Sequence, residues 1–224
     1  LQIVSVGGMW ILSFFIYFIS YQIYLLIING FSRGLAVKIA LPLLILGVFG
    51  SVRLTFAENN NSRSVVVSAV GTNSTIGGPE LDTPEERQAV RDGIFNRMRK
   101  ASRAGAELIV WNEAGAGLLP SEEGNFQLEA AELTDSLNVT AVVCYVVLES
   151  LDPFHYENKY IVIDSTGNIQ SEYHKHQPVP GEACTPGVEP HEVYDMAGSN
   201  IGGAICYDFD FPGLGRDIGA EGAD

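Results

Sequence analysis

Residues 1–32 contain no charged side chain, and this feature limits the possible folds more than any other. Within this stretch, the apolar run 7–28 is as long as the roughly 20 residues that a helix needs to cross a bilayer. Trp10 lies near one end of the run and Tyr21 and Tyr24 lie towards the other, as is typical of membrane interfaces. We therefore predict a transmembrane helix over about residues 7–28.

A second apolar run covers residues 35–56. Its uncharged part lies between Lys38 and Arg53. At a rise of about 1.5 Å per residue, a helix over this part is shorter than a hydrocarbon core of about 30 Å. Long basic side chains can extend to the headgroups, so these two residues are compatible with the ends of a spanning helix. The run predicts a second transmembrane helix; a buried core helix and an interfacial helix are the alternatives.

The basic residues between the two runs predict the orientation. Arg33 and Lys38 lie in or beside the short connection, and connections that carry Lys and Arg tend to remain in the cytoplasm. The second helix would then leave the cytoplasm, so we expect a multi-pass protein of the cell membrane with its remaining residues on the extracytoplasmic side. A signal peptide fits less well, because the first run is too long and a second run follows it.

Charge divides the chain into two parts. Residues 1–57 hold three of the 13 basic residues and none of the 27 acidic ones, so residues 58–224 carry a net charge of −17 within the total of −14. An acidic domain repels phosphate, which excludes a nucleic-acid-binding protein. Three cysteines are too few for a disulfide-based fold. We predict a membrane region over 1–57 and a separate domain over 58–224.

Residues 58–224 alternate between β-branched apolar segments and helical ones, which is typical of a layered α/β domain. Thr83, Pro84 and Glu86 have the pattern of a capping box with proline at the first helical position, and Gly105 is the expected helix stop. Strands are predicted at 62–72, 107–114 and 140–149, hairpins at 159–176 and 194–208, and helices at 83–104, 122–137 and after Pro212.

Three reactive side chains follow apolar strand segments of this domain. Glu113 ends one segment, Lys175 ends a hairpin strand, and Cys206 ends the last predicted strand. A thiol can act as a nucleophile, a carboxylate as a general base, and an ammonium group as a stabiliser of an oxyanion. Taken singly, each has an ordinary alternative: a buried structural cysteine, a solvated glutamate and a surface lysine.

Three motifs in this order, AELIVWNEAG, SEYHKHQPVPGE and GGAICYDFDFP, resemble the carbon–nitrogen hydrolase (nitrilase) superfamily. The resemblance covers roughly residues 62–224. It implies a Glu–Lys–Cys triad with Glu113 as general base, Lys175 as stabiliser of the tetrahedral intermediate, and Cys206 as nucleophile. It also implies a nitrilase-like α-β-β-α sandwich, C-terminally truncated in this chain and preceded by two transmembrane helices.

The apolar N-terminal part resembles one branch of that superfamily, the bacterial apolipoprotein N-acyltransferases. The resemblance implies that a phospholipid acyl donor acylates the cysteine and that the acyl chain then passes to the N-terminal amine of a diacylglyceryl-Cys lipoprotein. It also implies substrate-binding or supporting roles for Glu182, Tyr207 and Asp208. One departure is Asn112, because proline commonly precedes the catalytic glutamate in the family.

Two other functions remain open from the sequence. A membrane-anchored amidase or nitrilase would use the same triad on a small amide or nitrile, since water and an amine compete for the same thioester. An inactive structural fragment is the second alternative. We expect neither a metal nor a cofactor, because His174 and His176 lack a third ligand in the sequence pattern and no phosphate-loop motif is present.

Overall fold

The computed structural model describes residues 2–58, 64–76, 78, 81–196 and 198–223. The chain divides into two compact units, residues 1–63 and residues 64–224, which are described separately.

The first unit consists of two long helices, α1 (Val4–Asn29) and α2 (Arg33–Glu58). Both are long and apolar enough to cross a membrane, and they cover the two predicted runs. Gly7 and Gly8 leave the helical backbone conformation near the start of α1. The guanidinium group of Arg53 donates a hydrogen bond to the Ser5 hydroxyl over 2.6 Å, which joins the two helices. The helices are therefore confirmed, and their insertion into a membrane stays a prediction.

The second unit is built on a six-stranded sheet. The strands are β1 (Val67–Val70), β2 (Leu108–Trp111), β3 (Gly117–Leu118), β4 (Thr140–Leu151), β5 (Phe154–Ile163) and β6 (Ile169–His174). Strands β1, β2 and β4 run parallel in that order, β3 pairs with β4, and β5 and β6 continue the sheet in antiparallel fashion. Strands β1, β2 and β3 are short, whereas β4 and β5 form a long antiparallel pair.

Two helices, α3 (Pro84–Arg103) and α4 (Pro120–Leu137), pack on one face of this sheet. The predicted capping box is present: the Thr83 hydroxyl accepts a hydrogen bond from the Glu86 amide, and the Glu86 carboxylate accepts one from the Thr83 amide. Four buried aromatic rings connect the helices to the strands at centroid distances of 5.1–6.0 Å. These rings belong to Phe95, Trp111, Phe126 and Tyr145.

Because successive side chains of a strand point to opposite faces, the residues next to those on the helix-covered face point to the other face of the sheet. There, residues such as Val110 and Val142 face a separate two-stranded hairpin, β7 (Val193–Met196) and β8 (Ser199–Gly202). A short 3₁₀ helix (Cys206–Asp210) and α5 (Pro212–Ala220) follow.

The predicted elements agree with the structure except at a few boundaries. Strand β1 is shorter than the predicted segment 62–72, of which residues 62 and 63 lie outside the described residues. The sequence predicts the turn of the last hairpin at residues 198–200, but residues 199 and 200 belong to β8.

The prediction that Cys206 ends a strand is wrong. Strand β8 ends at Gly202, and Cys206 begins the 3₁₀ helix with a left-handed φ of 49°. At Gly203 a Cβ atom would stand 3.0 Å from the Tyr160 hydroxyl, so this glycine lets the backbone pass close to the sheet. The cysteine is therefore presented by a tight turn.

The capping box makes a testable contribution to the stability of α3. Replacing the cap, Thr83→Ala, leaves the Glu86 amide without its acceptor and should cost about 1 kcal/mol. Hydrogen–deuterium exchange at the first turn of α3 should become about fivefold faster. Thr83→Ser keeps the acceptor and is the control; equal exchange rates in Thr83→Ala and Thr83→Ser would contradict the assignment.

Candidate active site

Glu113 lies just after β2, in a turn fixed by its neighbour Asn112. The Asn112 side-chain oxygen accepts a hydrogen bond from the Thr72 amide over 3.0 Å, and its amide group donates to the Glu113 carbonyl over 2.9 Å. Ala114 then takes a left-handed φ of 53°. Asn112, which stands where proline is common in the family, thus ties the end of β2 to the residues after β1 and orients the glutamate.

Lys175 follows β6 and carries a buried ammonium group, with only 2% of its side chain exposed. Its Nζ lies 3.0 Å from Glu113 Oε1 and 2.9 Å from Glu182 Oε2. Glu182 belongs to a turn in which its carboxylate accepts the Val179 amide over 2.7 Å. The lysine is therefore held between two carboxylates.

Cys206 completes this group. Cys206 and Glu113 line the same cavity, and the charges of Glu113 and Lys175 both act on the Cys206 thiol. The residue is exposed, whereas the other two cysteines, Cys144 and Cys184, are buried. The structure thus brings the three predicted catalytic residues together, although they lie far apart along the chain.

Burial and the charges of the neighbours determine the protonation of the site. Although the residue is exposed, partial desolvation of its sulfur raises the pKa of the Cys206 thiol and the charge of Glu113 raises it further, so the thiol is the resting form at neutral pH. Burial disfavours the charged form of Lys175, but its ion pairs with Glu182 and Glu113 outweigh this effect and raise its pKa. Glu182 has a lowered pKa, because burial is outweighed by the hydrogen bonds from Lys175 and Tyr156.

Asp208 faces the interior and is 1% exposed. Its carboxylate accepts hydrogen bonds from the Ile205 amide (3.0 Å), the Tyr173 hydroxyl (2.9 Å) and the Gln177 amide (2.7 Å). It therefore connects the turn that carries Cys206 to β6 and to the segment after Lys175. Of the two roles that we predicted, this position favours the supporting one over substrate binding.

Tyr207, the third residue that we expected near the substrate, is half-buried. Its ring packs edge-on against Phe211, with 5.4 Å between the ring centroids. This contact places an aromatic pair beside the cysteine turn.

Two residues of β5 belong to the site and were missed by the sequence analysis. The Tyr156 hydroxyl donates to Glu182 Oε1 over 2.7 Å, and the Asn158 amide group donates to Glu113 Oε1 over 2.7 Å. They are two positions apart and therefore project from the same face of the strand. The polar residue Asn158 inside the strand segment FHYENKYIVI was the sequence signal that could have indicated this position.

An apolar cavity of about 240 Å³ adjoins Glu113 and Cys206. It lies between the sheet face opposite the helices and the β7–β8 hairpin. Its walls include Val110, Val142, Tyr160, Val162, Met196, Ile201 and Phe209. An apolar cavity with a few polar groups at one end is typical of sites for small organic groups.

Within the part of the chain that the structure describes, no group of three or more His, Cys, Asp or Glu side chains is arranged to hold a metal ion. His174 instead pairs with Glu189 and Glu172, and His176 stacks on Tyr173.

Comparison with known proteins gives the family and the fold. The model of the family described as carbon–nitrogen hydrolase matches residues 67–224. An amidase from Nesterenkonia sp. is similar in structure, with a TM-score of 0.57 and 22% identity over 71% of this chain and 62% of that chain. No curated protein matches the chain significantly.

Two further structures come from Nesterenkonia sp. AN1. A double mutant of the amidase in complex with acrylamide has a TM-score of 0.58 and 21% identity, and the match covers 73% of this chain and 64% of that chain. A mutant with the acetamide moiety of fluoroacetamide added covalently at the active-site cysteine has a TM-score of 0.56 and 22% identity over 71% of this chain. It is covered over 62% of its own length, so the present chain spans less than two thirds of these amidases.

The structural likeness, at this low identity, establishes a mixed α/β nitrilase-like fold, here with two long apolar helices before it. The family match extends over more than half of the sequence and includes all three motifs. The chain therefore belongs to the carbon–nitrogen hydrolase family.

Proposed function

We propose that this chain is the catalytic part of an apolipoprotein N-acyltransferase, which moves a phospholipid acyl chain through a Cys206 thioester onto the amine of a diacylglyceryl-Cys lipoprotein. The observation that carries the proposal is the ion pair of Glu113 with Lys175 at a cavity that Glu113 and Cys206 both line, in a chain with two long apolar helices. A two-chain lipid rarely leaves the bilayer, so its catalyst has to be held at the membrane surface.

In the first step, the thiol of Cys206 gives its proton to Glu113 while the sulfur forms a bond to the ester carbonyl carbon of the donor. A base is needed because the thiol, and not the thiolate, is the resting form. Lys175 stabilises the negative charge that develops on the carbonyl oxygen. The carbon–oxygen bond then breaks, and the lysophospholipid leaves with the proton from Glu113.

In the second step, the lipoprotein amine attacks the thioester carbonyl and loses a proton to Glu113. The carbon–sulfur bond breaks, an amide forms, and Cys206 regains its proton. The apolar cavity beside Cys206 supports an apolar acyl group at this point. Glu182 would hold the ammonium of Lys175 in place through both steps.

A second candidate function is hydrolysis of a small amide by the same thioester route, with water in place of the amine. The similar structures are amidases, and one of them carries a covalent adduct at its active-site cysteine. That observation favours a cysteine-bound intermediate in both candidates. The two differ in the acyl donor and in the acceptor of the acyl group.

Mass spectrometry of the Cys206 peptide separates the candidates. With phospholipid and without an amine acceptor, we expect the full chain to gain the mass of one acyl chain at Cys206. Cys206→Ala should carry no adduct, and Glu113→Gln should form it about 10²- to 10⁴-fold more slowly because the base is lost. Cys184→Ala, which removes a buried thiol, is the matched control and should keep the adduct.

Turnover of a small amide without a lipid adduct would favour the hydrolase. Absence of both activities would contradict the proposed triad chemistry and favour a structural role.

The ion pair between Lys175 and Glu182 predicts a pH effect on stability. The pKa of Glu182 in the folded protein lies below its ordinary value of 4.5, so the pair stabilises the fold above that value, and this stabilisation is lost as the pH falls through the lowered pKa. Glu182→Gln should therefore lower the melting temperature at neutral pH, and the difference from wild type should shrink in acid. A difference that is independent of pH would contradict this role.

The proposed orientation can be tested by labelling the connection between α1 and α2. In a Cys206→Ala background, which removes the exposed native thiol, Ser32→Cys should react with a membrane-impermeant maleimide only after the cells are opened. Glu221→Cys, at an exposed position after α5, should react in intact spheroplasts. The reverse labelling pattern would overturn the orientation.

A further inference from the structure

Asn158 makes a contact in the site that neither the triad nor its supporting glutamate explains. Its side chain is fully buried, and its Nδ2 donates to Glu113 Oε1 over 2.7 Å. The Lys175 ammonium donates to the same oxygen over 3.0 Å. Both of these donors therefore use Oε1 of Glu113.

The backbone of Asn158 is fixed on both sides. The residue pairs with Val146 of β4, and its carbonyl oxygen accepts a hydrogen bond from the Lys175 amide over 2.8 Å. One residue in the interior of the sheet thus contacts Glu113 through its side chain and the lysine segment through its main chain. A rigid strand can hold the two charged groups at a constant distance more accurately than their own loops can.

The orientation of the Asn158 amide depends on the charge of Glu113. Asn158 Oδ1 is buried and has no hydrogen-bond partner among the described residues. Turning the amide over would bring this oxygen against a carboxylate that, when ionised, can only accept hydrogen bonds. In the observed orientation the amide group therefore donates to Glu113, and the Oδ1 atom is left unpaired.

We propose that Asn158 is a positioning residue for the general base: with Lys175 it occupies Glu113 Oε1, so that Oε2 is the oxygen that takes the proton of Cys206. This inference rests on the proposed role of Glu113 as the base for Cys206. It does not depend on whether a lipid or a small amide is the acyl donor, nor on whether an amine or water is the acceptor.

The test is the acylation of Cys206 in the full chain by a p-nitrophenyl alkanoate, followed as the burst of nitrophenolate in a single turnover. In this step the S–H proton passes to Glu113, a carbon–sulfur bond forms, and nitrophenolate leaves as the ester bond breaks. Such an ester needs neither phospholipid nor lipoprotein. The readout therefore isolates the step that Asn158 is proposed to assist.

We expect Asn158→Ala and Asn158→Asp each to lower the burst rate constant about tenfold, because a hydrogen bond to a charged group is lost. Asn158→Asp nearly preserves the size of the side chain, so its loss of rate reports the missing donor and not a cavity. In a Glu113→Gln background, Asn158→Ala should change the rate less than about twofold.

Thr134→Val is the matched control, because it removes a buried hydroxyl that bonds the Ala130 carbonyl within α4. It should leave the burst rate unchanged. Circular dichroism of every variant checks that the fold is retained.

Two results would overturn the inference. Asn158→Asp could acylate Cys206 at the wild-type rate, or Asn158→Ala could lower the rate as much in the Glu113→Gln background as in the wild type. A wild-type chain without any burst would overturn the proposed function itself. A burst without lipid transfer would reject the acyltransferase and leave the role of Asn158 standing.

Discussion

The ammonium group of Lys175 lies buried between the carboxylates of Glu113 and Glu182, and the rest of the site is arranged around this contact. Removing an ammonium group and parts of two carboxylates from water is costly, and the cost is offset only when the ions are close together and their remaining hydrogen bonds are made. Tyr156 and Asn158 supply such bonds from β5. The ion pairs therefore require the sheet to bring the residues that follow β2 and β6 within hydrogen-bonding reach of β5.

The turn that carries Cys206 belongs to the same arrangement. Cys206 approaches this charged group from a 3₁₀ turn with a left-handed backbone, a conformation that costs free energy for a residue with a side chain. Asp208 holds the turn through three hydrogen bonds to separate parts of the chain. The buried carboxylate of Asp208 thus supports the position of Cys206, the proposed nucleophile, whereas Glu113 is the proposed acceptor of its proton.

Much of the site could be predicted from short motifs, because strand ends and helix caps are local features. The capping box at Thr83, the hairpin between β5 and β6, and the positions of Glu113 and Lys175 just after their strands all agree with the structure. The position of Cys206 did not follow in the same way. The apolar run that includes Gly202 and Gly203 predicts a strand, but the backbone leaves the hairpin at these glycines and passes close to Tyr160.

By itself the sequence determined two long apolar helices, an acidic α/β domain and three reactive residues in the order of a known family, since hydrophobic runs, charge and motifs are properties of neighbouring residues. Only the tertiary structure decided that Asn158 and Tyr156 serve the two glutamates and that Asp208 faces the interior. The physical reason is that a hydrogen-bond partner 45 residues away, as for Asn158 and Glu113, is chosen by strand register and burial. Neither is visible in the local pattern of the chain.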